Sequence, residues 1–337
     1  MKEICVSDFI NANAAFIPIE QEKEPEKWLE LRRTGIGGSD AGAIMGMNKY
    51  ASPLTVYFSK KGIDGFQDNA ATEWGHILEE PVRQKAREEL NADIVAVPGM
   101  YRSREYEFMN ANLDGIINAK DGITVGKQTV AGIGGHEIKT SAHGDGFSDE
   151  EIPDSYYCQV QHYMAVTGLP WFILTVFFLD SRTGRHYIVP KNEEFIKTLI
   201  ERETDFWENY VLTDKMPEPV GVDSETEYLK NVPLSSEIIF DDDTEELVAH
   251  ERELDAKIKE LSKEQAEIKN KIICRMIEHS DGENAEKTVA AAGRFRITYN
   301  TQIRKSVDSD ALKKAGLYDE YTKESSYKVL RISEVKK

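Results

Sequence analysis

Cysteine is scarce in this chain. Its 337 residues hold three (Cys5, Cys158 and Cys274), far apart and with no CxxC pair. That excludes a disulfide framework, a structural zinc site and an iron–sulfur cluster, and it suits a reducing cytosol. No run approaches the roughly 20 apolar residues that span a bilayer, so no membrane segment is expected. The opening residues lack a basic start followed by an apolar core, so no secretory leader is expected either. Internal repeats and low-complexity tracts are also missing. What is present is a soluble globular balance, 40% hydrophobic and 30% charged, long enough for one large domain plus a smaller one. A cytoplasmic protein is expected.

Basic charge is in short supply too, with 42 Lys and Arg against 60 Asp and Glu for a net of −18. Such a balance argues against a nucleic-acid partner until its distribution is considered. Residues 201–260 carry 19 acidic and 6 basic side chains, whereas 281–337 carry 12 basic and 9 acidic. The first 200 residues are therefore only mildly acidic, and a local basic groove stays open to phosphate.

Periodicity divides the chain. Pro25–Arg33 is expected to form a short amphipathic helix with Pro25 in its first turn. Thr72–Leu90 has helical spacing, with Trp74, Ile77, Leu78 and Val82 on one face and Pro81 expected to kink or split it. Strand-like runs follow at 100–117, 124–140 and 170–180, the last apolar throughout as in a strand buried on both faces. Between the second and third, Pro153 and Gly168 bracket a helix, and Phe195–Val211 forms another. The acidic stretch 221–243 has the composition of a linker. Beyond it, Leu247, Leu254, Leu261 and Ile268 recur every seven residues, with Ile258 and Ile272 in a second seam. That predicts an amphipathic helix over 244–279, packed as a hairpin or short coiled coil. Strand-like runs at 293–307 and 326–333 end a module spanning 244–337, after a domain spanning 1–220.

The chemistry concentrates in Asp114, within NLDG, and in Glu137 and Lys139, within GHEIKT. On a strand, side chains at i and i+2 share a face, so Glu137 and Lys139 point into one cleft, and a neighbouring strand can bring Asp114 beside them. Two hard carboxylates form a partial shell for Mg²⁺ or Mn²⁺. Such a metal acidifies water and neutralises a scissile phosphate, while a lysine ammonium stabilises the developing oxyanion. An isolated ExK is a weak signal, because exposed strands often alternate charged and apolar residues.

It does not stand alone. WLELRRTGIGGSDAGAIMGMNKYASPLTVYFSKKG (28–62), EWGHILEEP (73–81), NLDG (112–115), HEIKTS (136–141) and YYCQVQHYMAVTG (156–168) occur in this order. Together, over about residues 20–215, they resemble the YqaJ-like viral recombinase family, relatives of phage lambda exonuclease in the PD-(D/E)xK nuclease superfamily. The resemblance implies an α/β (α+β) restriction-endonuclease-like core, a central mixed β-sheet flanked by helices. It implies Mg²⁺-dependent 5′→3′ digestion of one strand of linear double-stranded DNA, with Mn²⁺ as a possible substitute. A 3′ overhang would remain for a single-strand annealing protein in phage or prophage recombination. A ring-shaped homotrimer is implied as well.

Carried over by motif, Asp114 and Glu137 are metal ligands, Lys139 is the catalytic lysine, Glu79 is an added acidic residue at the metal and Gln159 is the active-site glutamine. Arg32 and Ser39 fall where the family binds the 5′-terminal phosphate, with Lys49 as a third member. The separation of Asp114 from Glu137 exceeds that in the lambda enzyme, and the glycine-rich stretch 121–135 is expected to form a longer hairpin between them.

Structural alternatives stand beside these roles. Glu79 and Glu80 are neighbours, and one should be a solvated charge. Gln159 and Gln161 lie on different helix faces, so only one reaches the cleft. Ser39 is also a plausible N-cap. His76, His136, His143 and His162 are assigned no metal, with His136 expected opposite Glu137 and His162 able to share the face of Gln159. Trp28, Trp74, Trp171 and Trp207 are expected in the core. A structure-dependent endonuclease, or a DNA- or annealing-protein-binding module with secondary nuclease action, are the competing readings.

Overall fold

Residues 12–20, 23–63, 70–144, 146–235, 238, 240, 243–280, 287–323, 328 and 330–332 are described by a computed structural model. They divide into two compact units, Met1–Pro233 and Leu234–Lys337. The first opens with strand β1 (Ala14–Pro18), helix α1 (Pro25–Arg33), the two-residue strand β2 (Ile36–Gly37), α2 (Gly38–Ile44), α3 (Pro53–Lys60) and α4 (Ala70–Leu90). Strands β3 (Asp93–Ala96), β4 (Gly99–Ser103), β5 (Met109–Ala111), β6 (Gly115–Val125) and β7 (Gln128–Ser141) follow. After them come α5 (Asp154–Thr167), β8 (Trp171–Phe178), β9 (Thr183–Pro190), α6 (Glu193–Phe206) with a π-helical extension to Val211, and α7 (Asp223–Asn231).

The sheets are mixed and the class is α/β. Five strands run in the order β3-β6-β7-β8-β9, parallel only between β7 and β8, and four more run β1-β4-β5-β2. Helices cover both faces of the larger sheet. Phe172, Leu174 and Val176 of β8 pack with Val160 and Met164 of α5, while Trp171 and Ile173 pack with Ala86 of α4 on the other side. Each of the larger side chains, withdrawn from water, contributes about 1.5–3 kcal/mol. As expected, Pro153 caps the start of α5 and Gly168, at φ 75°, ends it in the left-handed conformation that favours glycine.

Four expectations are corrected. The run 100–117 is three strands, because the turn 104–108 and Asn112–Asp114 interrupt it. Pro81 does not divide α4, which continues unbroken from Ala70 to Leu90. Trp74 and Ile77 lie on the exposed side of that helix, at 55% and 54% exposure, and its buried apolar residues are Val82, at 6%, and Ala86. The stretch read as a linker begins with α7. Glu225 of α7 is buried and accepts hydrogen bonds from Ser52 Oγ (2.6 Å) and from the backbone of Val220 (3.0 Å) and Gly221 (2.8 Å).

One buried pair fastens α5 to the rest. His162 Nδ1 lies 2.8 Å from Glu203 Oε1 of α6, and His162 Nε2 lies 2.9 Å from the carbonyl oxygen of Asn110. Since a carbonyl only accepts, Nε2 carries a proton. Burial works to lower the His162 pKa, but the facing carboxylate outweighs it and raises it, while burial raises the Glu203 carboxyl in turn. His162 is thus committed to packing and does not reach the cleft. Glu203→Ala leaves the buried Nδ1 of His162 without its partner and is expected to cost about 1–3 kcal/mol in urea unfolding.

The second unit contains α8 (Thr244–Glu278), the hairpin β10 (Lys287–Ala292) and β11 (Phe295–Asn300), and the short α9 (Ser309–Lys314). In place of a helical hairpin, α8 is one continuous helix of 35 residues, none of them buried. Its heptad stripe at Leu247, Leu254, Leu261 and Ile268 is exposed. The run 293–307 contributes β11, and half of 326–333 lies outside the described residues, as does Cys5, while 328 and 330–332 are in no strand.

Candidate active site

Strand pairing assembles the carboxylates. β6 and β7 form an antiparallel hairpin in which Gly115 faces His136, so Asp114, just before β6, meets the segment holding Glu137. Asp114 Oδ2 accepts from the backbone N–H of Ile138 at 2.7 Å, which fixes its carboxylate there. Lys139 Nζ lies 2.6 Å from Glu137 Oε1, the shared face that the i, i+2 spacing requires. His136 points the other way, with Nε2 2.8 Å from Thr175 Oγ1.

Helix α5 closes the site over this face. Gln159 Nε2 donates to Glu137 Oε1 at 2.6 Å and to the Tyr163 hydroxyl at 2.9 Å. Gln161 turns away to the carbonyl oxygen of Pro190, which settles which glutamine faces the cleft. Helix α2 rests on Tyr163 at Gly38, where a Cβ would stand 2.4 Å from the tyrosine ring, so only glycine permits the approach.

Arg32, Ser39, Glu79, Asp114, Glu137, Lys139 and Gln159 all line one cleft of about 810 Å³. Arg32, at the end of α1, donates from Nη2 to Ser39 Oγ at 3.0 Å. Glu79 and Glu80 both reach the buried guanidinium of Arg83, but Glu80 also pairs with Arg87 and is the more exposed. Lys49 does not line the cleft; its ammonium stands 4.8 Å over the Tyr50 ring.

Three further cleft residues bear on the site: Trp28, read from the sequence as core and buried as expected, and Arg83 and Asn112, to which the sequence reading gives no role. Trp28, one turn before Arg32, lines the cleft and has a buried indole N–H without a partner. Arg83, 4% exposed, counters Glu79, and its place four residues along α4 was the available signal. Asn112 contributes a buried, unpartnered Oδ1, which no pattern announced.

The electrostatics are those of crowded acids. Burial first, then the charge of Glu137, pushes Asp114 up to about 7. Burial likewise raises Glu137, and burial plus the charge of Asp114 raises Glu79. Burial works to lower Lys139, but Glu137 and Asp114 outweigh it and hold the ammonium above its usual range. Among the described residues no three acidic, histidine or cysteine groups form a finished cage. The donor set nonetheless fits a hard divalent cation: Glu137 Oε2 is buried with no partner, and a cation relieves the repulsion that raises all three acids.

The site is an acid–lysine cluster carried on the sheet of a mixed α/β fold, and known proteins similar to the chain share one description. Residues 27–170 match the YqaJ-like viral recombinase domain. It is 28% identical over 329 residues to the uncharacterized protein YqaJ of Bacillus subtilis (strain 168), covering 93% of this chain and 96% of that one. Among solved structures it is similar to an alkaline exonuclease from Laribacter hongkongensis (19% identity, TM-score 0.42, 56% of this chain and 94% of that one). It is also similar to a phage-related exonuclease from Haemophilus somnus 129PT (16% identity, TM-score 0.39, 56% and 100%). Among the described residues no helix is long and apolar enough to cross a membrane.

Proposed function

We propose that this chain is a metal-dependent 5′→3′ deoxyribonuclease acting on linear double-stranded DNA, one nucleotide at a time from a 5′-phosphate. The observation that carries the reading is that the Arg32–Ser39 pair shares one cleft with Asp114, Glu137, Lys139 and Gln159. A terminal phosphate held by the guanidinium and hydroxyl fixes the register and polarity of the strand without reading a base.

Mg²⁺, or Mn²⁺ in its place, held by Asp114, Glu137 and Glu79, would polarise the scissile phosphate and acidify water. Lys139, kept protonated, donates to the phosphate oxygen as negative charge builds and is therefore no general base. Gln159 holds Glu137 in place from the helix side. The product would be duplex with a 3′ overhang, a substrate for a single-strand annealing protein, and a homotrimer enclosing the duplex suits this role. The second unit, with its exposed heptad stripe, is then free for protein–protein contact.

The test compares 5′-phosphorylated duplex, 5′-hydroxyl duplex and a covalently closed circle in Mg²⁺. The phosphorylated end should be digested preferentially, and the circle should remain intact. Arg32→Ala should lower kcat/KM on the phosphorylated end about 10–100-fold, the worth of a hydrogen bond to a charged group. Cutting of the circle would favour an endonuclease, and no metal-dependent cutting would sink the enzymatic reading.

A further inference from the structure

Beneath Arg32 and Ser39 lies a second charge pair, withdrawn from the solvent. Lys60, the last residue of α3, has a side chain only 2% exposed, and its Nζ lies 2.5 Å from Asp40 Oδ2. The same ammonium donates to the backbone carbonyl oxygen of Arg32 at 3.1 Å. Asp40 Oδ2 in turn accepts from the backbone N–H of Gly37 at 2.8 Å. One cation therefore ties the end of the helix that carries Arg32 to the start of the helix that carries Ser39.

Stability alone does not explain such a pair. Taking two charges out of water costs several kcal/mol per ion, and a well-packed apolar pair usually serves the fold as well or better. What an apolar pair lacks is direction. Arg32 and Ser39 sit on separate helices joined through β2, and an anion is held by both only if their separation is fixed. Lys60 bonds the carbonyl of Arg32 itself, and Asp40 is the residue next to Ser39. The cost of the buried pair falls at the junction where a small rotation would part the two anion-binding groups.

We propose that Lys60 and Asp40 are positioning residues for recognition of the 5′-terminal phosphate, setting the junction of α1 and α2 so that the Arg32 guanidinium and the Ser39 hydroxyl meet on one anion. The inference rests on reading Arg32 and Ser39 as the phosphate pocket. It goes further in assigning the specificity for a phosphorylated end to a pair that never touches DNA.

The experiment measures kcat/KM on 5′-phosphorylated and 5′-hydroxyl duplexes for the full-length wild type, Arg32→Ala, Asp40→Asn and the double variant K60M/D40N. The double variant removes both buried charges together, so it avoids the unpaired ion that a single Lys60 substitution leaves. Thermal unfolding is read on each protein. The expected result is a phosphorylated-to-hydroxyl preference at least tenfold lower in Asp40→Asn and in K60M/D40N, through KM rather than kcat, with the double variant unfolding close to wild type. A purely structural role would lower both substrates alike and leave the preference unmoved. Preference retained in both variants, while Arg32→Ala abolishes it, overturns the inference and leaves the pocket standing. Absence of any preference in the wild type overturns the pocket, and this inference falls with it.

Discussion

Lys139→Ala is expected to lower the rate of mononucleotide release about 10²–10³-fold, the usual cost of removing one charged donor aimed at a developing oxyanion. The Lys139 Nζ is 2.6 Å from Glu137 Oε1 and 5.1 Å over the Tyr156 ring, and neighbouring carboxylates raise its pKa against burial. With its pKa raised above the ordinary lysine value the group is an ammonium near neutral pH, so its part in the reaction is to stabilise charge. The loss should appear in single-turnover rates, because the Arg32–Ser39 pair that engages the terminal phosphate is untouched. A second consequence separates this role from a structural one. Glu137 loses its nearest positive charge and keeps only Gln159, so its pKa climbs and the acid limb of the pH–rate profile moves to higher pH. Single-turnover rates within tenfold of wild type, with an unmoved profile, would reduce Lys139 to a partner of Glu137.

Much of this site was legible in the sequence because strands translate spacing into direction. Glu137 and Lys139 share a face by alternation, and hairpin register delivers Asp114 to them. Helices are less explicit. Gln159 and Gln161 are both glutamines on α5, and only tertiary packing makes one face Glu137 and the other Pro190. Trp74 and Ile77 have core-like spacing on α4 yet are exposed, since periodicity marks an apolar face without saying what covers it. Composition misled once. Glu225 lies in the most acidic part of the chain, where solvated charge is the natural expectation. It is buried instead because a serine hydroxyl and backbone N–H groups replace its water, which also lowers its pKa despite the burial. Lys60 and Asp40 carried no signal, as each is an ordinary charge until the fold brings helices α2 and α3 together.

Asp114→Asn should invert its effect on stability with pH and with metal. In the folded protein burial and Glu137 push Asp114 from 3.8 up to about 7. Between those values the folded state holds a proton that the unfolded state has released. Stability therefore falls as pH rises from about 4 to about 7. Asparagine has no such proton to lose, and its amide oxygen still accepts from the N–H of Ile138. In EDTA the variant should consequently match the wild type near pH 4 and exceed it at pH 8, by at most ~4 kcal/mol at 1.36 kcal/mol per pKa unit. Divalent metal reverses the order. An ion held by ionised carboxylates stabilises the folded wild type in proportion to RT ln(1 + [L]/Kd), and increasingly so as pH rises and the competing proton leaves. The variant, one ligand short, should gain little. Urea unfolding at pH 4–8.5, in EDTA and in Mg²⁺, reads both effects on the same protein. A gap in EDTA that does not change with pH would mean that Asp114 is ionised throughout. Equal stabilisation of both proteins by Mg²⁺ would remove Asp114 from the ligand set and leave the ion to Glu137 and Glu79.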